Sequence, residues 1–169
     1  PTSVQSVIRD KRCDVVIKFG MGLLKQTEEC AAPLGILSYH HGDPSRYRGR
    51  PAGYYEILAG ERTMGIMVQR LNDKLDAGQV MAFARSRVIP YSYRHTLRFA
   101  HLNSTSLLYQ ALEQADRGGP LPFAVSGRNY RLPPNFGVLG FVFKLVWARI
   151  KRLTYGLCYE KQWEVGLGA

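Results

Sequence analysis

The segment 35–43 holds a serine and two histidines at a spacing that suits proton-transfer chemistry. Side chains two residues apart on a strand share a face, so Ser38 and His40 point one way while His41 points the other. An imidazole takes up and releases protons near neutral pH. His40 therefore stands out as either a hydrogen-bonded structural histidine or a proton carrier.

The elements that would position His40 are two short strands. Residues 14–19 contain the β-branched run Val15-Val16-Ile17 and are followed by Gly20-Met21-Gly22, which predicts a buried strand and then a tight turn. A short helix is expected over 23–30, and a second strand over 35–40. Ligands bind at the carboxyl ends of strands in open α/β sheets, and His40 falls at such an end.

Further along the chain, strands and helices continue to alternate. The sequence predicts a loop over 43–53, a helix over 54–58, and strands over 63–71 and 79–89. A helix over 95–117 would end at Gly118-Gly119-Pro120. This alternation predicts an α/β fold with an open, mostly parallel, Rossmann-like sheet.

Composition excludes several classes of protein. The 169 residues are 46% hydrophobic, which is enough to close a core and argues against a disordered tail or a collagen-like fibre. Three cysteines without C-x-x-C spacing argue against a disulfide framework or a structural zinc site, and they favour a cytoplasmic protein. The net charge of +10 is concentrated in arginine clusters that could attract anions.

Three segments together resemble the folate-dependent formyltransferases, the family of methionyl-tRNA, glycinamide-ribonucleotide and sugar N-formyltransferases. The first is Asp14-Val-Val-Ile-Lys-Phe-Gly-Met-Gly-Leu-Leu, and the second is 35–49, ending Arg46-Tyr47-Arg48-Gly49. The third runs from Thr63-Met-Gly-Ile-Met-Val to Leu75-Asp76-Ala77-Gly78. The resemblance covers residues 10 to 117 and implies a partial formyltransferase fold whose opening strands lie outside this chain.

The resemblance implies transfer of a formyl group from 10-formyltetrahydrofolate to a primary amine, with roles for three groups of residues. His40 would be the catalytic base or relay, Asp76 would orient it, and Ser38 would occupy the oxyanion side. The pteridine of the formyl donor would meet Phe19, Gly20, Met21, Gly22, Asp73 and Gly78. The acceptor would meet His41, Asp43, Arg46 and Arg48.

One departure from the family leaves activity open. Ser38 stands where the family has Asn, and a hydroxyl is shorter than an amide and offers one donor. If nothing replaces the amide, the change forfeits roughly 10²–10³ in rate. A degenerate formyltransferase fold that binds or tethers without catalysis is therefore the alternative.

Two rival sites use the same residues. Ser38, His40 and Asp76 spell a hydrolase triad, but the serine and histidine would point in parallel, and no G-x-S-x-G elbow is present. His40, His41, Asp43 and Asp76 could be metal ligands only if the strand broke at Gly42. We therefore expect no metal.

The C-terminal third changes character. We predict a formyltransferase-like domain over 1–120, a proline-containing linker over 121–135, an amphipathic helix over 136–157, and a tail over 158–169 that leads toward a further domain of the same polypeptide. The helix carries one apolar stripe at three- and four-residue steps. The stripe, formed by Leu139, Val142, Val146, Ile150, Leu153 and Leu157, would dock on another domain or lie on an anionic bilayer.

The acceptor is the part of the function that the sequence defines least. An amino sugar, linked to a nucleotide or a lipid, fits better than aminoacyl-tRNA, because the region after residue 120 does not resemble the tRNA-binding domain of the tRNA enzymes. Tyrosines among the basic clusters would suit nucleic acid, but no nucleic-acid module is recognisable. We expect a cytoplasmic protein that reaches the membrane surface through 136–157.

Overall fold

Strands and helices alternate along most of the chain. The computed structural model describes residues 4–20, 32–73 and 76–154. Its helices are α1 (Val4–Asp10), α2 (Tyr54–Ala59), α3 (Tyr93–Asn103), α4 (Leu107–Arg117) and α5 (Asn135–Thr154). Its strands are β1 (Val16–Lys18), β2 (Ile36–His40), β3 (Tyr47–Gly49), β4 (Thr63–Arg70), β5 (Gln79–Arg87) and β6 (Arg128–Tyr130). The helix predicted over 23–30 lies outside the described residues.

The main sheet has the strand order β1-β2-β4-β5. The first pair is parallel, with Val16 opposite Ile36, whereas the β2–β4 and β4–β5 pairs are antiparallel. The predicted α/β class is confirmed. The parallel arrangement is found between β1 and β2, while the β4–β5 hairpin gives the described part of the sheet an antiparallel edge, as many α/β sheets have.

The core lies between this sheet and the helices that pack on it. Helices α3 and α4 contact β5, and α4 also contacts β4. Completely or almost completely buried apolar side chains fill the interface, including Leu37, Ile66, Val68, Ala100 and Leu107. Burial of this apolar surface is the main term that holds the sheet edge in place.

The helix predicted over 95–117 is two helices. The chain leaves α3 at Ser104, and α4 begins at Leu107. The hydroxyl of Ser104 donates to the carbonyl of His101 at 2.7 Å, and that of Thr105 donates to the carbonyl of Leu102 at 2.9 Å. Hydroxyls that bond to nearby carbonyls compete with the helical ladder, and the Ser-Thr-Ser run therefore ends the first helix.

The predicted loop over 43–53 and the predicted linker over 121–135 are joined by backbone pairing. Strands β3 and β6 form a parallel two-stranded sheet, with Arg48 opposite Asn129. The segment is also tied to the main sheet, because the N–H of Leu121 donates to the carbonyl of Val80 at 2.8 Å. Pairing between segments so distant in sequence leaves no local signal, and the domain boundaries stay a prediction.

Helix α5 packs on the domain through the side opposite its predicted stripe. Phe141 is its buried residue, and Leu145 packs against the core. The described residues of the stripe, from Leu139 to Leu153, are each at least 45% exposed. Leu157, the last residue of the predicted stripe, lies outside the described residues. In the part of the chain that the structure describes, no helix is long and apolar enough to cross a membrane.

Candidate active site

His40 ends β2 with a buried side chain held between two acceptors. Its Nδ1 lies 3.4 Å from Oδ1 of Asp76, and its Nε2 lies 3.3 Å from the carbonyl oxygen of Tyr47. A neutral imidazole can donate to only one of them, whereas a protonated imidazole donates to both. In this structure both ring nitrogens of His40 therefore face an oxygen, one of a carboxylate and one of the backbone.

Asp76 reaches His40 from the loop between β4 and β5. Its backbone has a positive φ of 46°, a conformation that aspartate tolerates better than most residues. Its Oδ2 accepts a hydrogen bond from the N–H of Gly49 at 2.8 Å, which leaves Oδ1 facing His40. The carboxylate is thus oriented by the backbone of β3, and its side chain is 17% exposed.

The loop that carries Asp76 is braced at its base. The N–H of Gly78 donates to the side-chain oxygen of buried Gln69 at 2.9 Å, and the amide of Asn72 donates to the carbonyl of Ala77 at 2.7 Å. A Cβ at Gly78 would lie 2.2 Å from the carbonyl oxygen of Arg70. Only glycine fits there, so the Leu-Asp-x-Gly motif fixes the position from which Asp76 points back at β2.

Close backbone packing also fixes the far side of His40. A Cβ at Gly42 would lie 2.6 Å from the carbonyl oxygen of Tyr47 and 2.7 Å from Nε2 of His40. A Cβ at Gly65 would lie 2.6 Å from Cα of Asp43. These two glycines let the turn after β2 lie against β4 and bring the carbonyl of Tyr47 onto the imidazole.

Ser38 lies on the same strand as His40 but contacts a different partner. It is nearly buried, and its hydroxyl donates to the carbonyl of Lys18 at 3.3 Å. The single O–H donor of a serine is therefore engaged with β1. This contact also accounts for why Ser38, His40 and Asp76 do not form a hydrolase arrangement, in which the serine would donate to the histidine.

His41 lies on the opposite side of the strand, among aromatic rings. Its ring centroid is 4.5 Å from that of His101 and 6.3 Å from that of Tyr39. Burial lowers the pKa of His41 to about 4, with smaller contributions from the charges of His101 and His40. His41 is therefore neutral at physiological pH, and its buried Nε2 has no hydrogen-bond partner among the described residues.

The four residues predicted to meet the acceptor lie on two surfaces. Asp43 is 3.8 Å from Arg85, and Arg46 is paired with Glu61, so the charges of Asp43 and Arg46 are already partnered within one pocket. His41 and Arg48 line a second pocket with Gly49, Arg50, Tyr55 and Tyr130. The second pocket adjoins Asp76, since its wall includes the Gly49 that holds the carboxylate.

The residues predicted to meet the pteridine are only partly described. Phe19 is 64% exposed at the end of β1, with its ring 5.9 Å from that of Tyr39, and Gly20 follows with a positive φ of 61°. Asp73 is exposed on the loop before Asp76. Met21 and Gly22 lie outside the described residues. The end of β1 thus presents the exposed ring of Phe19 and, at Gly20, a backbone without a side chain.

Several groups of the site are absent from the sequence-based expectations. Tyr47 and Gly49 act through their backbones, so their residue types give no signal. Glu56, in the wall of the second pocket, is 2% exposed, and burial raises its pKa to about 7. A glutamate at the third position of a helix after Gly53 is typical of a capping residue, which is the signal that could have drawn attention to it.

No metal centre forms from the rival residues. Among residues 4–20, 32–73 and 76–154, no group of three or more His, Cys, Asp and Glu side chains is arranged to hold a metal ion. His40 and His41 point to opposite faces, as residues adjacent on a strand do.

Comparisons with known proteins show which family the chain resembles in sequence and in fold. The family model described as "Formyl transferase" matches residues 1–112. A methionyl-tRNA formyltransferase of Parvibaculum lavamentivorans is 34% identical over 107 residues, which are 62% of this chain and 34% of that protein. The chain spans about a third of the length of the curated relatives that it matches.

Solved structures share the fold. HypX from Aquifex aeolicus in complex with tetrahydrofolic acid superposes with a TM-score of 0.55 at 22% identity, over 76% of this chain and 22% of that one. WlaRD, a sugar 3N-formyl transferase solved in the presence of dTDP and 5-N-formyl-THF, superposes with a TM-score of 0.51 at 11% identity, over 69% of this chain and 43% of that one.

Proposed function

The chain belongs to the formyl transferase family, and on this premise we propose that the whole protein transfers a formyl group from 10-formyltetrahydrofolate to a primary amine. The observation that carries the proposal is the contact of His40 with Asp76, at 3.4 Å, where their backbone partners Tyr47 and Gly49 also line a pocket. An amine that attacks a formyl carbon must lose a proton, and this pair offers a place for it.

The end of β1 supports a folate donor. When bound, 10-formyltetrahydrofolate would supply an activated formyl group to the amine. The exposed ring of Phe19 offers an apolar face for a flat ring system, and the backbone at Gly20 permits close approach. HypX, which shares the fold, is described as a complex with tetrahydrofolic acid, a molecule of the same class.

His40 and Asp76 would receive the proton of the amine as a unit. Because the carboxylate of Asp76 faces Nδ1 and the carbonyl of Tyr47 faces Nε2, the imidazole would take the proton on Nε2 after exchanging the carbonyl of Tyr47 for the amine. The N–H of Gly49 would hold the carboxylate in place while the proton moves to the imidazole. Asp76 acts as the orienting group, and His40 acts as the base or relay.

Ser38 would contribute to the oxyanion side only by releasing its present contact. Its O–H donates to the carbonyl of Lys18, at a distance long enough to mark a weak bond. Rotation about one side-chain bond would free the donor. Ser38 is therefore a weaker stabiliser of the developing negative charge than the amide that the family carries there.

We propose an amino sugar linked to a phosphate-bearing carrier as the acceptor. The pocket beside Asp76 combines the ring of Tyr55, whose centroid is 4.1 Å from that of Tyr130, with Arg48 and Arg50. Apolar faces with a few polar groups suit a small organic ligand, and guanidinium forks suit phosphate oxygens. WlaRD, which shares the fold, is described as acting on a sugar in the presence of dTDP.

Aminoacyl-tRNA is the second candidate acceptor. The relative from Parvibaculum lavamentivorans is named a methionyl-tRNA formyltransferase, and the net charge of +10 favours association with a polyanion. An acceptor panel decides between the two.

The experiment supplies the intact protein with 10-formyltetrahydrofolate and a panel of nucleotide-linked amino sugars and methionyl-tRNA, and it measures release of tetrahydrofolate. We expect release with an amino sugar and its abolition in His40→Ala. Gly119→Ala, a change with open space around it, serves as the folded control. Release with methionyl-tRNA alone would assign the second acceptor. Binding of the donor without release for any acceptor would assign a module that binds without catalysis.

A further inference from the structure

The outward face of α5 forms an apolar surface whose role is independent of formyl transfer. We propose that this helix binds the surface of an anionic lipid bilayer, with its exposed apolar side chains inserted among the acyl chains and its basic side chains among the headgroups. The orientation of the helix on the domain, the composition of its outward face and the placement of its charges each support this assignment.

The orientation of α5 is fixed by four contacts with the domain. Phe141 is buried, with its ring 4.3 Å from that of Tyr54, whose hydroxyl donates to the carbonyl of Gly137 at 2.6 Å. Nζ of Lys144 donates to a backbone carbonyl at 2.7 Å, and Nε of Arg149 donates to another at 3.0 Å. The side of the helix that faces outward is therefore determined.

That outward side is apolar along the whole helix. Phe136, Leu139, Phe143, Trp147 and Leu153 are 53–89% exposed. At 3.6 residues per turn these positions fall on one side and extend for roughly 26 Å. An apolar strip of this length in water is a mark of an interaction surface, because isolated exposed apolar residues are normal but contiguous ones are not.

Three of the four basic side chains of α5 contact the domain, since Lys144 and Arg149 donate to backbone carbonyls and the guanidinium of Arg152 lies 4.4 Å from the ring centroid of Tyr91. The helix contains Lys144, Arg149, Lys151 and Arg152 and no acidic residue. A rotation of about 100° per residue places Lys151 and Arg149 on opposite flanks of the strip. Lys151 can reach headgroup phosphates while the strip is buried, whereas Arg149 would first release the carbonyl of Tyr91.

Trp147 occupies the boundary between the strip and one flank. Nζ of Lys151 lies 5.5 Å from its ring centroid. Indole side chains concentrate at the interface between headgroups and acyl chains, because one edge is polar and the body is apolar. The pairing of an indole with an ammonium group at the edge of an apolar strip fits a helix that lies in the plane of the membrane.

Charge also distinguishes a bilayer from other occupants of this face. A second copy of the chain on the strip would bring together two helices that each carry four basic and no acidic side chains. Like charges at an interface oppose association. An anionic bilayer offers an apolar layer with negative charge at its rim, which matches both the strip and its flanks.

The test uses the intact protein and vesicles of phosphatidylcholine with and without phosphatidylserine. Sedimentation with vesicles should be strong when phosphatidylserine is present, weak when it is absent, and reduced by salt. Phe143→Asp should lower the partition coefficient about tenfold or more, because it places a charge in the strip. Leu102→Asp, at another exposed apolar residue, is the matched control and should bind as the wild type does.

A second pair of variants separates charge from apolarity. Lys151→Gln should weaken binding to anionic vesicles, whereas Arg94→Gln removes the same net charge from α3 and should not. In a Trp163→Phe background, Trp147 emission should shift to the blue on binding. Equal sedimentation with neutral and anionic vesicles would overturn the proposal. So would a dimer that forms without lipid and is lost in Phe143→Asp, which would assign the face to a second copy.

Discussion

Nδ1 of His40 lies 3.4 Å from Oδ1 of Asp76, although one residue ends β2 and the other belongs to the loop between β4 and β5. A backbone N–H from Gly49 holds the second oxygen of the carboxylate, and the carbonyl of Tyr47 faces the second nitrogen of the imidazole. The two side chains are therefore positioned by the backbone of one segment, 47–49, which makes β3 part of the site.

Asp76→Asn tests the charge of the pair without removing its anchor. The amide oxygen can still accept the hydrogen bond from Gly49, but the negative charge of the carboxylate, 3.4 Å from the imidazole, is lost. We expect kcat to fall by about 10²–10⁴ while KM for the formyl donor changes little. Steady-state kinetics of tetrahydrofolate release measures both, and an unchanged kcat would remove Asp76 from the mechanism.

Gly42→Ala tests the backbone packing behind His40. The new methyl group would meet the carbonyl of Tyr47 at 2.6 Å and Nε2 of His40 at 2.7 Å, so one of them must move. If His40 moves by about 1 Å to make room, kcat should fall about 10²-fold. The same overpacking should lower the free energy of unfolding by about 1–3 kcal/mol.

Gly119→Ala is the matched control for that variant. Nothing lies within 4 Å of the added methyl group, and urea denaturation and kinetics should both match the wild type. If Gly42→Ala behaved like this control in both measurements, the turn after β2 would be loose, and the contact between His40 and Tyr47 would not matter for catalysis.

The elements that local sequence specifies are predicted well. Strand β2 follows from its local sequence, whereas the loop that carries Asp76 is indicated by the resemblance of Leu75-Asp76-Ala77-Gly78 to the family motif. The need for glycine at position 78 appears only in the structure, where a Cβ would collide with the carbonyl of Arg70. The contacts of His40 and Asp76 with the backbones of Tyr47 and Gly49 could not be predicted, since any residue supplies a carbonyl and an N–H. The pairing of β3 with β6 could not be predicted from local sequence either, because it joins segments far apart in the chain.

The side of α5 that packs on the domain could not be predicted from the periodicity of its apolar residues. Apolar residues occupy both sides of the helix, so the spacing of Leu139 and Val142 identifies an apolar stripe but not the side that packs on the domain. Phe141 decides that side, because its ring stacks on Tyr54 and meets Tyr93 edge to face. Such aromatic contacts across the fold depend on tertiary structure and leave no periodic signal.

Ser38→Ala tests how much the hydroxyl of Ser38 contributes to kcat. Because its O–H donates to the carbonyl of Lys18, we expect kcat to fall less than about tenfold, below the 10²–10³ that follows loss of a full oxyanion donor. Loss of the contact between β1 and β2 should lower the free energy of unfolding by about 0.5–1.5 kcal/mol. A fall of kcat into the larger range would show that the hydroxyl leaves Lys18 during turnover.

Glu56→Gln tests the buried carboxyl in the wall of the pocket. Burial raises the pKa of Glu56 from 4.5 to about 7, so the folded protein binds a proton between these pH values that the unfolded chain has released. The stability of the wild type therefore falls as pH rises from 4.5 through 7, by roughly 3 kcal/mol at most. The neutral amide of the variant avoids this loss.

We therefore expect Glu56→Gln to match the wild type near pH 4.5 and to exceed its free energy of unfolding above pH 7. His41 contributes the opposite trend, because its lowered pKa reduces stability as pH falls from 6.5 toward 4, but this contribution is common to both proteins and cancels in their difference. Urea denaturation across this pH range measures that difference. A difference that stays constant with pH would show that Glu56 is ionised in the folded protein throughout, against the burial seen in the pocket wall.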